Sequence, residues 1–183
     1  LVFHKSGFSQ VVLADDTSLE DVADFFADQA SLLQYFHLYN PPEKLVEKVK
    51  SDKRFGVKYR KRIKLQFQGK NLQTNYSSNL NNSHSISKIA KGNFDGLGVF
   101  NLNFDRQFWA SKDDFLKNSY GVVVSDNGNP ISICYASAIH QGVAEIDVAT
   151  LSEYQNQGLA KVATEAFIEL SINKGFTANW DCF

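Results

Sequence analysis

The sequence predicts an α/β fold in two parts, and three observations carry the prediction. Apolar runs broken by compact turn signals fill residues 121–150, the pattern of a strand meander. A strand, a short glycine-bearing loop and an amphipathic helix then follow one another across residues 143–173. Ahead of them, helical and strand-like segments alternate without any internal repeat. The division is placed at residue 119. An N-terminal α/β subdomain covers 1–118 and a mixed-sheet core covers 119–183.

Taken in order, residues 2–14 read as two short strands around Lys5-Ser6-Gly7. Thr17 and Glu20 have the spacing of a capping box, and Leu19, Val22, Phe25, Phe26, Ala30, Leu33 and Phe36 follow at helical spacing. Pro41 and Pro42 stop that helix, and a second amphipathic one is expected over 43–50. Val57, Tyr59, Ile63, Leu65 and Phe67 occupy odd positions, mostly between charges, which predicts a half-buried strand. Residues 69–85 are rich in Asn and Ser and read as a connection. A third helix is expected over 86–91, and a fourth over 112–117, introduced by Ser111 with Asp114 three residues on. Strands at 121–125 and 131–140 flank Asp126-Asn127-Gly128-Asn129 as a hairpin. After the Gln141-Gly142 turn come a strand over 143–150, a loop, a helix from 158 to 173 ended by Gly175, and a last strand from Phe176.

Composition narrows the class. Hydrophobic residues make up 43% of the 183-residue chain and charged residues 21%, which suits a folded globular protein rather than a disordered one. No apolar run nears the roughly 20 residues that cross a bilayer, and no secretory signal pattern opens the chain. Two cysteines, Cys134 and Cys182, make no disulfide framework, so a cytoplasmic setting is expected. The net charge of −1 gives no general pull toward nucleic acid. Between residues 42 and 70, however, eleven Lys or Arg stand against three acids. Without interleaved stacking aromatics, that excess reads as a solvated helix face followed by a protected edge strand. The chain has no methionine and ends at Phe183 inside a predicted strand, so the reading expects a longer polypeptide.

The chemistry concentrates in residues 145–160. Gln155-Asn156-Gln157-Gly158-Leu159-Ala160 opens a helix directly after a strand and loop. A helix start offers unpaired N–H groups and the positive end of the macrodipole, which suits a pyrophosphate. Gly158 lets the backbone approach phosphates closely, Ala160 keeps the next turn small, and Gln155 and Gln157 add neutral donors. Glu145 and Asp147 stand two apart in the strand and therefore share a face. A strand-to-helix turn carries glycine for steric reasons alone often enough that the string by itself decides little.

In its context, the string resembles the (Q/R)-x-x-G-x-(G/A) signature of the GNAT superfamily of N-acetyltransferases, through Gln155, Gly158 and Ala160. The likeness extends to one branch, described as the GNAT acetyltransferase family, through Glu145-Ile146-Asp147 with Thr150, Tyr154 with Gly158-Leu159-Ala160, and Trp180-Asp181. Phe108-Trp109, Phe115-Leu116 and Gly121 resemble that branch more loosely. The resemblance covers about 59–183. It implies a mixed sheet splayed between its fourth and fifth strands. It also implies acetyl-coenzyme A as cosubstrate, its pantetheine arm bonded near Val148, Ala149 and Thr150 and its phosphates at Gln155, Asn156, Gln157, Gly158, Leu159 and Ala160, with no metal. The family fold continues with another helix, which often supplies a tyrosine acid, and with further strands. That helix and those strands lie outside this chain, so the general acid stays unassigned.

On this reading the acceptor is the amine of a small molecule, with no nucleic acid, no membrane and a homodimer left open. The amine must lose a proton before it attacks a thioester, and Glu145 or Asp147 is placed to take it. Each also reads as a cross-strand ion-pair partner. His140 is a second candidate base. Asp181, in an apolar strand, must find a partner or face the cleft. Thr150 reads equally as a partner for loop backbone, Trp180 as a cleft wall, and Cys182 as a small buried hydrophobe. A coenzyme A-binding module without turnover remains the alternative function, and thiol release with an amine library separates the two.

Overall fold

The computed structural model describes residues 2–3, 8–33, 37–67, 80–102 and 108–182. The Lys5-Ser6-Gly7 turn, Phe36 and most of the 69–85 connection lie outside the described residues. The chain divides into two units, Leu1–Arg60 and Lys61–Phe183.

In the first unit, β1 (Val2–Phe3) pairs antiparallel with β2 (Phe8–Gln10), and β2 pairs parallel with β3 (His37–Tyr39). No sequence signal announced β3. Helix α1 (Leu19–Leu33) is capped at the Ser18 hydroxyl, which accepts from the Asp21 N–H at 3.2 Å, rather than at Thr17. Helix α2 (Glu43–Ser51) follows the two prolines as expected. Phe26 of α1 meets Leu45 and Val49 of α2 and Val11 in one buried cluster. Arg54 joins the helices electrostatically, 2.7 Å from Asp24 on α1 and 2.7 Å from Asp52 at the end of α2.

The second unit holds a six-stranded mixed sheet in the order β4-β9-β8-β7-β6-β5. Its strands are β4 (Ile63–Gln66), β5 (His84–Lys88), β6 (Gly121–Asp126), β7 (Asn129–His140), β8 (Val143–Thr150) and β9 (Thr177–Cys182). Two expectations are corrected here. The segment expected as a helix over 86–91 is strand β5, because its backbone pairs with β6 from His84↔Asp126 to Lys88↔Val122. The strand over 57–67 is the edge strand its charge predicts, but as β4 it is short and exposed rather than half-buried, with Ile63 54% and Leu65 50% exposed. Both strands lie upstream of residue 119 yet belong to the core sheet. The division between units therefore falls after Arg60, not at 119, since ladder hydrogen bonds tie β4 and β5 to the rest.

The sheet separates two apolar layers. Helix α4 (Leu159–Asn173) covers one face, where Val162, Ala163 and Phe167 pack on Val122, Cys134, Ile146 and Ala178. Tyr120, just ahead of β6, stacks on Phe167 at 5.0 Å and donates to Ser171 at 3.0 Å, locking that helix to the sheet. On the other face, Leu97 of a 3₁₀ turn (Asp95–Phe100) and Phe115 of α3 (Lys112–Asn118) pack on Val123, Ile133 and Tyr135. Ser111 caps α3 as its sequence predicts, accepting from the Asp114 N–H at 3.1 Å.

Candidate active site

The site begins where the sheet stops being continuous. β8 and β9 pair in parallel at three positions, Val143↔Thr177, Ala144↔Ala178 and Glu145↔Asn179. Beyond that seam β8 stays on β7 through Thr150, while β9 stays on β4 through Cys182. The strands consequently fork. The Leu151 N–H donates to Ile131 O on β7, and Ala149 O accepts from Ser132 there. By alternation, the backbone groups of Val148 and Thr150 face the opposite edge, into the gap.

A cleft of about 410 Å³ lies at this end of β8. Val148, Ala149 and Thr150 form one wall, Tyr154, Gln155 and Asn156 the loop side, and Gly158, Leu159 and Ala160 the start of the helix. Of the residues expected to contact the donor, Gln157 does not line the cleft. Its side-chain amide donates to Glu153 O at 3.3 Å, and that of Gln155 to Thr150 O at 3.3 Å. Both glutamines thus brace the loop rather than standing free at its mouth.

The loop turns through two left-handed residues, Asn156 at φ 61° and Gly158 at φ 79°. Helix α4 starts at Leu159 with Gly158 as N-cap and no side-chain cap, and Val162 N–H makes a bond to Gly158 O at 3.1 Å. Helix geometry leaves the amides ahead of it without intrahelical acceptors. Nothing lies within 4 Å of where a Gly158 Cβ would sit, so the space beside this backbone is open. An uncapped helix start with open space beside it suits an anion.

Glu145 and Asp147 share a strand face, as their spacing predicts, but their surroundings differ. Asp147 is engaged on both oxygens. Oδ2 accepts from the Tyr135 hydroxyl at 2.7 Å and Oδ1 from the Val148 N–H at 2.9 Å. Burial and the neighbouring Asp147 carboxylate push the Tyr135 hydroxyl well above the usual phenol range, so it stays protonated and donates. Glu145 instead reaches across the seam, where its Oε2 accepts from Asn179 Nδ2. Its backbone carbonyl accepts from the Ser137 hydroxyl at 3.1 Å.

His140, Asp181, Trp180 and Cys182 do not line the cleft. His140 is exposed and pairs with Val143, at the opposite end of β8. Asp181 finds its partner in Arg62, whose Nε stands 3.1 Å from its carboxylate. Trp180 packs against the α4-side core, and the Cys182 thiol lies 3.8 Å from Ile63 O. Burial pushes the Cys134 thiol far up, which leaves it a neutral core group. The Thr150 hydroxyl meets that of Ser132 at 2.8 Å and so ties the end of β8 to β7. Among the described residues, no cluster of three His, Cys, Asp or Glu could hold a metal, and no helix is long and apolar enough to cross a membrane.

The sequence reading missed Asn179 and Tyr135 as partners of the two carboxylates, and it used Tyr154 as a motif residue without placing it in the cleft. Asn179 carried a signal. A lone amide between Ala178 and Trp180 in an apolar strand is 1% exposed and must hydrogen-bond to something.

Comparison with known proteins fits this geometry. The chain is 30% identical over 84 residues to the uncharacterized N-acetyltransferase YdfB of Bacillus subtilis, a match covering 46% of this chain and 32% of that protein. The fold is similar to a GCN5-related N-acetyltransferase-like protein from Streptococcus suis, with a TM-score of 0.60 at 19% identity, covering 85% of this chain and 65% of that one. It is also similar to a functionally unknown conserved protein from Staphylococcus epidermidis, with a TM-score of 0.50 at 13% identity, covering 96% and 73%. The matched part of this chain thus spans about a third of the Bacillus relative and just under two thirds of the Streptococcus one. The family model for GNAT acetyltransferases runs over residues 10–183, through the whole forked sheet and the open helix start, and the chain belongs to the GNAT acetyltransferase family.

Proposed function

We propose that the chain is the donor-binding and catalytic part of an N-acetyltransferase that moves an acetyl group from acetyl-coenzyme A to the amine of a small molecule by direct attack. The observation that carries the reading is the coincidence of three features: the seam ending at Glu145, the cleft beyond it, and the uncapped helix start at Gly158. Acetyl-coenzyme A supplies an activated thioester carbonyl. Gly158, Leu159 and Ala160 present helix-start backbone to its pyrophosphate, and the gap-facing Val148 carbonyl and Thr150 N–H, which Asp147 and Gln155 do not engage, take the amide groups of the pantetheine arm.

An amine with a pKa of about 10 is mostly charged near neutrality. Glu145 accepts a proton from the ammonium, directly or through one water. The neutral nitrogen then forms its bond to the acetyl carbon as the carbon–sulfur bond breaks, the electron pair leaves with the coenzyme A thiolate, and the second proton that nitrogen loses on becoming an amide balances the one the thiolate takes up. Glu145 is ranked above Asp147 because both Asp147 oxygens are already engaged, one by a side chain and one by backbone. The acceptor side is assigned to residues upstream of the core. The two free cysteines fit a reducing compartment, with the cytoplasm as the reading.

The test is release of free thiol from acetyl-coenzyme A with a panel of small amines, alongside calorimetric binding of coenzyme A. Steady release with at least one amine is expected. Binding without release from any amine would leave a coenzyme A-binding module, and no binding would remove the donor site as well.

A further inference from the structure

Asn179 sits directly opposite Glu145 at the last pair of the seam, and it is 1% exposed. An ionised carboxylate only accepts hydrogen bonds, so the amide must turn Nδ2 toward Glu145. That choice fixes the other end. Oδ1 is buried and has no hydrogen-bond partner among the described residues. A buried carbonyl left unpaired lowers stability, and an apolar side chain in the same place would not carry that penalty. Glu145 is held from the other side too. The β7 ladder skips from Ala136↔Ile146 to Ala138↔Glu145, and the extra residue, Ser137, donates to the Glu145 carbonyl at 3.1 Å. A bulge bends the strand that carries it, and bulges are over-represented next to active sites. Two neighbouring strands therefore converge on one residue, one of them at a cost to the fold.

We propose that Asn179 is a positioning residue for acyl transfer. Its amide holds the Glu145 carboxylate at the closed end of the fork, where the strands part, in the orientation from which it takes the proton of the incoming amine. The proposal rests on Glu145 being the base. It predicts that Asn179 acts on turnover through Glu145 and contributes little to holding the donor.

The experiment compares wild type, Asn179→Ala, Asn179→Leu, Glu145→Gln and the double variant Asn179→Ala/Glu145→Gln, with an amine that wild type acetylates. Both Asn179 variants are expected to lose about tenfold or more in kcat, since small misplacements of a reacting group are costly, with donor KM within about twofold of wild type. Asn179→Leu is expected to melt at or above the wild-type temperature. In the Glu145→Gln background, Asn179→Ala is expected to cost nothing further, because residues that act as a unit are non-additive. Unchanged kcat in both Asn179 variants overturns the proposal, as does an equal loss in both backgrounds. Full activity of Glu145→Gln, or a wild type that acetylates no amine, overturns the base assignment itself and the proposal with it.

Discussion

Two carboxylates on one strand face are equivalent by periodicity and inequivalent by contact. Changing Asp147 to Asn would keep an oxygen on the Val148 N–H but turn the NH₂ toward the Tyr135 hydroxyl, which could then only accept from it and would leave its own proton without the carboxylate it now bonds. Asp147→Asn is therefore expected to lose about 1–3 kcal/mol of stability, read as a lowered melting temperature, while keeping most of its turnover per folded molecule. Glu145→Gln should show the reverse: near-native melting, unchanged coenzyme A affinity and kcat lower by about a hundredfold, partly recovered at high pH as free amine accumulates. At Gly158 two demands coincide, the positive φ and the open space beside it. Gly158→Asn separates them, because Asn tolerates the left-handed region while its side chain fills the space. Coenzyme A affinity is expected to fall about tenfold or more with a stability loss under about 1 kcal/mol, measured by titration calorimetry and urea unfolding.

At the level of elements, legibility followed local signal. The hairpin at 126–129, the strand over 143–150 and the helix ended by Gly175 all carry turn or cap residues whose backbone demands are their own, and they stand where the sequence places them. Strand β5 carries no such signal. Ile86, Ile89 and Ala90 stand at helical spacing, and pairing with β6, more than thirty residues away, overrides it. The partners of Glu145 and Asp147 were hidden for the same reason. Tyr135 meets Asp147, and Asn179 meets Glu145, through strand register, which spacing along the chain does not encode. Gly121 shows how tight one such register is. A Cβ there would lie 2.5 Å from Ile89 Cδ1 and 2.8 Å from Cys134 O, and the latter is backbone that cannot turn aside. Gly121→Ala is expected to destabilise by about 1–3 kcal/mol, seen as a lower urea midpoint.

Over the whole molecule, acid acts on ion pairs, and the N-terminal unit carries the clearest case. The Arg54 guanidinium bonded to Asp52 holds that carboxyl at about 2, below its ordinary 3.8. The unfolded chain thus binds the proton more readily, so the pairing stabilises the N-terminal unit above about pH 4. The contribution is lost as pH falls toward about 2. The stability difference between wild type and Asp52→Asn is expected to be constant near neutrality, to shrink below about pH 4 and to vanish near pH 2, followed by circular dichroism through urea titrations. Arg54 binds Asp24 of α1 as well, so the loss loosens the contact between the two helices.

The fork itself has a further consequence. Counting on two residues from Glu145↔Asn179, past Ile146 and Trp180, the parallel register would set Asp147 beside Asp181 and join the Val148 N–H to the Asp181 carbonyl. Both ends of that rung are already spoken for. Asp147 Oδ1 holds the Val148 N–H, and the Arg62 guanidinium donates to Asp181 O. Two like charges would also be brought side by side. The sheet is thus stopped from zipping shut before any guest arrives, and a guest entering the gap has no closed strand pair to prise open. A donor seated in the gap as proposed would owe part of its affinity to Arg62, which helps to keep the two strands apart.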